Sequence, residues 1–228
     1  SSCSSEAQLA LDLHSSLVYF KPEAESVKAA NILLLGHIGS GKSSFLNSIN
    51  MVFVGRLVQL AIPGTSGQSF TTKYNQSCAI KEDNPKYRKH PKFGDQMHCV
   101  VYVMNSGRIL SFERHESFCL SGIPQVVILT HCDEACTEVQ KDLTMVFRSK
   151  YINDKKLGIP LNFVFPVKNY STVVDISTNM DILLLSTFQH MINFAGDFIK
   201  KTTKSEFFFG GGGGNLSQHD NFTLWNTS

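Results

Sequence analysis

The chain has 228 residues, 42% of them apolar, and a formal net charge of +2 at neutral pH. That length supports one sizeable core with tails rather than several domains. The near-balanced charge excludes a globally basic nucleic-acid binder, and no apolar run approaches the roughly 20 residues that a bilayer crossing needs, so neither nucleic acid nor membrane is an expected partner.

Residues 1–30 are weakly patterned and broken by Pro22, and read as a short helix or loose lead-in. The patch LALDLHSSLVYF has no basic flank and no cleavage site, so no signal peptide is expected. ILLLG (32–36) is a short continuous apolar run, the signature of a strand buried on both faces. From Lys42 a helix would put Phe45, Ile49, Val52 and Phe53 on one face and end near Gly55. The Gly/Ser/Thr-rich stretch PGTSGQSFTT reads as a loop, residues 69–80 as an edge strand, and the charged, Pro-containing residues 81–96 as an exposed loop.

CVVYVMN (99–105) and QVVILTH (125–131) repeat the buried-strand pattern. Residues 136–157 predict one amphipathic helix with Val139, Leu143, Val146 and Phe147 inward, stopped by Gly158 and Pro160. LNFVFPV (161–167) predicts another strand, and residues 178–201 a last helix with Asp181 near its start and Lys200-Lys201 at its end, as the helix dipole favours. The tail from about residue 205, with its glycine run, predicts disorder. The organisation expected is therefore a lead-in (1–30), an α/β domain (31–204) and a disordered tail (205–228). Strands alternating with helices imply a mostly parallel sheet covered on both faces, a three-layer sandwich whose ligands bind at the carboxyl ends of the strands.

The six cysteines are scattered without a CxxC pair, and several sit beside apolar runs, as buried reduced thiols do. A reducing compartment follows, in which the Asn-x-Ser/Thr triplets at Asn215, Asn221 and Asn226 are chance matches.

GHIGSGKS (36–43) matches G-x-x-x-x-G-K-[ST] between a strand and a helix, the context that the phosphate-binding loop of nucleotide-binding proteins requires. Glycines let backbone N–H groups converge on an oxyanion, and the helix N-terminus adds partial positive charge. Gly36, Gly39, Ser40, Gly41, Lys42, Ser43 and Ser44 are the candidate phosphate residues, with Lys42 reaching the outer phosphates and Ser43 a Mg²⁺ ion. A glycine-rich turn with a solvated lysine is the plainer alternative.

Further on, VVILTHCD (126–133) sets Thr130, His131 and Asp133 at a strand end. P-loop GTPases place there Asn or Thr, Lys, any residue and Asp, whose carboxylate accepts two hydrogen bonds from guanine. Thr130 would brace the loop, His131 could stack on the base in place of the lysine, and Asp133 would read guanine. An ordinary helix N-cap is the competing role for Asp133. Asn169, in PVKNYS, is the candidate for a third base-contacting loop, with a turn-forming Asn as the alternative. No Asp in the chain is followed three positions later by Gly, so the Asp-x-x-Gly that ends the strand beside the phosphate-loop strand in working GTPases is missing. The sheet should lack one strand and its switch segment, exposing an edge unless residues 69–80 cover it. Without that metal-holding carboxylate, slow or absent hydrolysis is expected.

YFKPEAESVKAANILLLGHIGSGKSSFLNSIN, GTSGQSFTTKY, HCVVYVMNS and VVILTHCDEAC closely resemble the interferon-induced protein 44 family, from about residue 19 to about residue 200. The resemblance implies a cytoplasmic, interferon-responsive, GTP- or GDP-binding protein of innate antiviral defence, with protein partners that the sequence does not name. It gives Gly36, Gly41, Lys42 and Ser43 the phosphate roles and Thr130 and Asp133 the guanine roles. Thr65, Thr71 or Thr72 would supply a switch threonine for Mg²⁺, with Thr72 joining Ser43 as the metal candidate. Members ordinarily carry an Asp- and Gly-containing strand between Lys73-Tyr74 and the HCVVYV strand, and this chain departs from them there. An ATP-using phosphotransferase is a second reading, opposed by sparse, scattered arginines. A nucleotide-free interaction module with a relic loop is the third.

Overall fold

The apolar runs read as buried strands build the middle of one parallel sheet. A computed structural model describes residues 2–54, 92–111, 122–150, 160–170, 177–207 and 222–226. Its strands are β1 (Ala30–Leu35), β2 (Cys99–Asn105), β3 (Gln125–Thr130), β4 (Val164–Pro166) and β5 (Phe222–Asn226). They form a five-stranded sheet in the order β4-β3-β2-β1-β5. Every neighbouring pair runs parallel. The helices are α1 (Ser2–Val18), α2 (Lys42–Val54), α3 (Cys132–Ala135), α4 (Thr137–Lys141) and α5 (Thr178–Phe207).

Side-chain alternation along the strands makes two cores. Ile32, Leu34, Val101, Val103, Val126 and Ile128 point to one face, where Phe45, Ile49, Leu184, Phe188 and Met191 pack on them from α2 and α5. Val100, Tyr102, Met104, Val127 and Leu129 point to the other, against Cys132, Val139 and Val146. Central strands buried on both faces explain why their sequences are apolar throughout rather than alternating. The result is the expected α/β three-layer sandwich.

Several local expectations change. The lead-in is a 17-residue helix. Its Leu17, with Ala24 and Val27 beyond it, is buried in the core, so residues before 31 are part of the domain's packing. The single helix expected over 136–157 is instead α4 followed by a 3-10 turn at Leu143–Arg148. Asp142 separates them in an extended conformation (φ −142°, ψ 106°), its side chain accepting from Thr144 N–H. Asp competes for backbone donors in this way and so ends helices. Phe147, expected inward, is 62% exposed because the 3-10 turn rotates it away from the sheet. The strand expected over 161–167 shortens to β4 behind a 3-10 turn at Leu161–Phe163.

The largest correction concerns the tail. Residues 205–207 continue α5, and Phe222–Asn226 form β5, paired along β1 from Ala30↔Phe222 to Leu34↔Asn226. The sheet place expected to be empty is thus filled, by the segment expected to be disordered. An open strand edge offers unpaired N–H and C=O groups to any segment that can reach it. The edge strand expected over 69–80, the candidates Thr65, Thr71 and Thr72, and the glycine run lie outside the described residues.

β1 and β2 are locked together at their starts by His98. Its Nδ1 accepts from Asn31 N–H at 2.9 Å, so Nε2 carries the proton and donates to Phe93 O at 3.2 Å. Asn31 Nδ2 donates in turn to Gly94 O and Gln96 O. His98 is fully buried, and burial holds its imidazole below the ordinary histidine range. The unfolded chain therefore binds a proton before the folded one does. Stability should be complete above about pH 6.5 and fall as the pH drops below it. Urea titrations between pH 7.5 and 5 should show this loss. His98→Gln, which keeps an acceptor for Asn31 but cannot titrate, should flatten that part of the profile.

Candidate functional site

β1 delivers the chain to Gly36, whose φ of 153° and crowding both demand glycine. A Cβ there would stand 2.2 Å from Val103 O. The loop therefore crosses directly over β2 before turning into α2. Gly41 (φ 95°) is hemmed in by the second and third loops, since a Cβ would lie 3.1 Å from both Thr130 Cγ2 and Asn169 Nδ2. Between them Ser40 N–H donates to His37 O at 3.1 Å, closing a turn with exposed Gly39 at its tip. Ser43 and Ser44 follow in the first turn of α2, both half-buried.

Lys42 is only 7% exposed, and burial lowers its pKa. Its Nζ donates to Gly36 O at 2.7 Å and His37 O at 3.1 Å. A buried ammonium satisfied by neutral carbonyls keeps its full charge available to an incoming anion.

The second loop is tied to the first by one hydroxyl. Thr130 Oγ1 lies 2.6 Å from Ser40 O, 3.1 Å from Met104 O and 2.8 Å from His131 Nδ1. A hydroxyl has one proton. It goes to the nearer carbonyl, Ser40 O, while His131 Nδ1–H donates to the oxygen. His131 itself is left-handed (φ 56°) and occupies the N-cap position of α3, where its side chain makes no capping hydrogen bond. Asp133 sits inside the first turn of α3 rather than at its N-cap, the alternative role open to it from the sequence.

The third loop leaves β4 through Val167, whose N–H donates to Leu129 O at 2.8 Å. Asn169 Nδ2 reaches Gly41 O at 3.3 Å. Tyr170 N–H donates to Ser48 Oγ on α2, and its hydroxyl to Asp181 Oδ1 on α5. The loop is thus stitched to the helix that follows the glycine-rich loop. Two buried polar atoms here, Ser40 Oγ and Asn169 Oδ1, have no hydrogen-bond partner among the described residues.

The structure brings Gly36, Gly41, Lys42, Thr130, His131 and Asn169 into one constellation at the carboxyl ends of β1, β3 and β4, with Asp133 on its flank. It adds a residue that the sequence reading passed over. Lys168 Nζ lies 3.2 Å from Asp133 Oδ2, each side chain partly exposed. The available signal was a lysine directly before Asn169 in the third loop. Thr72 lies outside the described residues. The described chain holds no group of three or more His, Cys, Asp or Glu side chains that could hold a metal ion. Of the expected Mg²⁺ set only Ser43 is in view, which does not make a metal centre.

A cavity of about 610 Å³ lies elsewhere, between the 3-10 turn at Leu143–Arg148, β4 and α5, lined by Val146, Phe147, Phe165, Ile182 and His190 among others. It includes no residue of the glycine-rich loop and lacks convergent charge, so it is not the candidate site.

The family resemblance read from the motifs is borne out by comparison with known proteins. The chain is 26% identical to human interferon-induced protein 44-like over 248 residues, covering 79% of this chain and 55% of that protein. It is 26% identical to human interferon-induced protein 44 over 258 residues, covering 85% and 58%. The mouse protein of that name is 25% identical, covering 82% and 61%. The chain therefore spans little more than half the length of these relatives. The aligned stretches are also longer than the chain's own 228 residues, so the relatives carry segments without a counterpart here. No family model matches the chain. No helix of the described residues is long and apolar enough to cross a membrane.

Thr130→Val should separate the two loops while keeping the side chain's shape. Leaving a buried carbonyl without its donor costs about 1–3 kcal/mol. The melting temperature should fall by several degrees in a thermal scan, and amide exchange should rise at Ser40 and Gly41 before it rises in β2.

Proposed function

We propose that this chain is a guanine-nucleotide-binding protein of the interferon-induced immune response, acting in the cytoplasm with slow or absent hydrolysis. The observation that carries the reading is the Thr130 hydroxyl on Ser40 O, which couples the base-side loop to the phosphate-side loop. A glycine-rich turn of no function would not need a buried brace to a loop ninety residues away.

In this reading the outer phosphates draw Lys42 off the Gly36 and His37 carbonyls, replacing charge–dipole contacts with charge–charge ones. The first turn of α2 adds its N-terminal field. Asp133 would accept from the guanine edge, and Lys168, its ion-pair partner, would lie along the base. Asn169 keeps Gly41 in place through its carbonyl and leaves Oδ1 for a donor. Mg²⁺, where bound, would shield the phosphate charges, with Ser43 as the side chain of the described set that could contact it. Nothing in the described site orients an attacking water, which is why turnover is expected to be slow.

Purified chain titrated with labelled GTP, GDP and ATP should bind both guanine nucleotides at least about tenfold more tightly than ATP, because an unsatisfied Asp133 penalises adenine. Asp133→Asn should move the preference toward xanthine nucleotides, whose edge complements an amide. Equal ATP and GTP affinity would point to an ATP-using enzyme, and no binding of any nucleotide to an interaction module. Phosphate release near one turnover per second would contradict the slow-hydrolysis part alone.

A further inference from the structure

We propose that the cavity between the 3-10 turn at Leu143–Arg148, β4 and α5 is a binding site in its own right, for a neutral small molecule with an aromatic body and a hydrogen-bonding group along one edge. It shares no residue with the glycine-rich loop, and the inference does not rest on the nucleotide reading.

Size and its origin in the sequence are the first argument. The cavity holds about 610 Å³. Pockets that bury small ligands span roughly 300–1,000 Å³. Its α5 wall is one helix face, on which Asn179, Ile182, Leu183, Ser186, Thr187 and His190 recur at helical spacing. Elsewhere on α5 Leu184, Leu185 and Phe188 fill the space against the core. Ser186 and Thr187 are too small to do the same, and the gap lies over them.

Shape is the second. Val146, Pro166 and Leu183 are buried at the floor, while Leu161 and Phe147, 58% and 62% exposed, stand at the mouth. The Phe165 ring lies against the His190 imidazole, with centroids 4.9 Å apart and planes at 22°. That stacking sets an aromatic wall before any ligand arrives, which spares the ligand the cost of ordering it.

Charge is the third. None of the lining residues is Asp, Glu, Lys or Arg. A charged ligand would give up its hydration to these walls without meeting a counter-charge among them, so the site selects a neutral one. Its inner polar groups come from α5, as the Asn179 amide and the Ser186 and Thr187 hydroxyls, with Thr187 only 3% exposed. The 3-10 turn and β4 present Leu143, Val146, Val164 and Phe165 instead. An aromatic body with one polar edge matches that division.

A strand of another protein, added to the outer edge of β4, is the competing occupant. Val167 N–H donates to Leu129 O on β3. Donors alternate sides along a strand, so Pro166 takes an outward-facing place and has no N–H to offer there. β4 is three residues long, and the edge it presents is blunted at its last residue. A small molecule in the cavity needs none of those backbone groups.

The full chain titrated with phenylnaphthylamine, a neutral fluorophore, should show saturable binding at one site per chain. Anilinonaphthalene sulfonate, the same ring system carrying a negative charge, should bind at least tenfold more weakly. Ser186→Phe should fill the gap and weaken the neutral probe at least tenfold while the circular dichroism stays native. Leu161→Ala, at the exposed mouth, should weaken it about threefold, and it decides the location where Ser186→Phe does not fold. No saturable binding of the neutral probe overturns the proposal. Undiminished affinity in a natively folded Ser186→Phe protein, or in Leu161→Ala where that protein does not fold, overturns the location. Equal affinity for the sulfonate overturns the neutral class. Self-association seen by light scattering and relieved by Leu161→Ala makes this face an interface between chains, and overturns the small-molecule site.

Discussion

A single hydroxyl proton holds the site together. Thr130 Oγ1 lies within hydrogen-bond distance of Ser40 O, Met104 O and His131 Nδ1, and one proton cannot serve two carbonyls at once. Giving it to Ser40 O, the nearest, fixes the rest of the arrangement. His131 must then donate from Nδ1, which selects its tautomer and holds the ring against the strand end. That ring position fits the left-handed backbone at His131, and the left-handed turn starts α3 with Asp133 in its first turn. The glycine-rich loop and the loop after β3 are therefore positioned by one buried group rather than independently.

The candidate site was legible in the sequence because its signals are local. Glycines at fixed spacing before a lysine, and an acidic residue shortly after a buried strand, keep their meaning whatever surrounds them. Gly36 and Gly41 are held to glycine by contacts with Val103, Thr130 and Asn169, which come from distant parts of the chain. Their spacing nevertheless survives in one eight-residue stretch. Lys168 was less visible because its role depends on a partner thirty-five positions earlier. A lysine in a polar loop looks the same whether solvent or a carboxylate receives it.

The fold was legible where burial is two-sided and blurred where a backbone contest decides. Val139, Leu143 and Val146 keep helical spacing, and all three pack on the second core. Periodicity was therefore right about the face and wrong about the backbone, because Asp142 takes Thr144 N–H and breaks the run. The tail misled for another reason. Its glycine run dominates the composition, whereas what orders Phe222–Asn226 is an open edge on β1, far away in sequence. Composition reports what a segment does alone, and a sheet edge changes the alternatives open to it.

The charged groups of the candidate site are satisfied within the chain, and under the proposed function the strength of each contact says which end of a nucleotide would dominate binding. Asp133 and Lys168 are 21% and 34% exposed, and ion pairs at that depth are worth about 1 kcal/mol or less. A base that takes over the carboxylate therefore gives up little. Lys42 is different, because it is buried and its two carbonyl partners carry no charge. Hydrogen bonds to charged groups contribute about 1.5–3 kcal/mol each, and a phosphate adds counter-charge where desolvation makes it count most. Under the proposed function, the asymmetry would put affinity at the phosphate end and selectivity at the base end. It also makes the missing carboxylate consequential. With no acid beside Lys42 among the described residues, the lysine is the charge of the described site that would answer the phosphates under the proposed function.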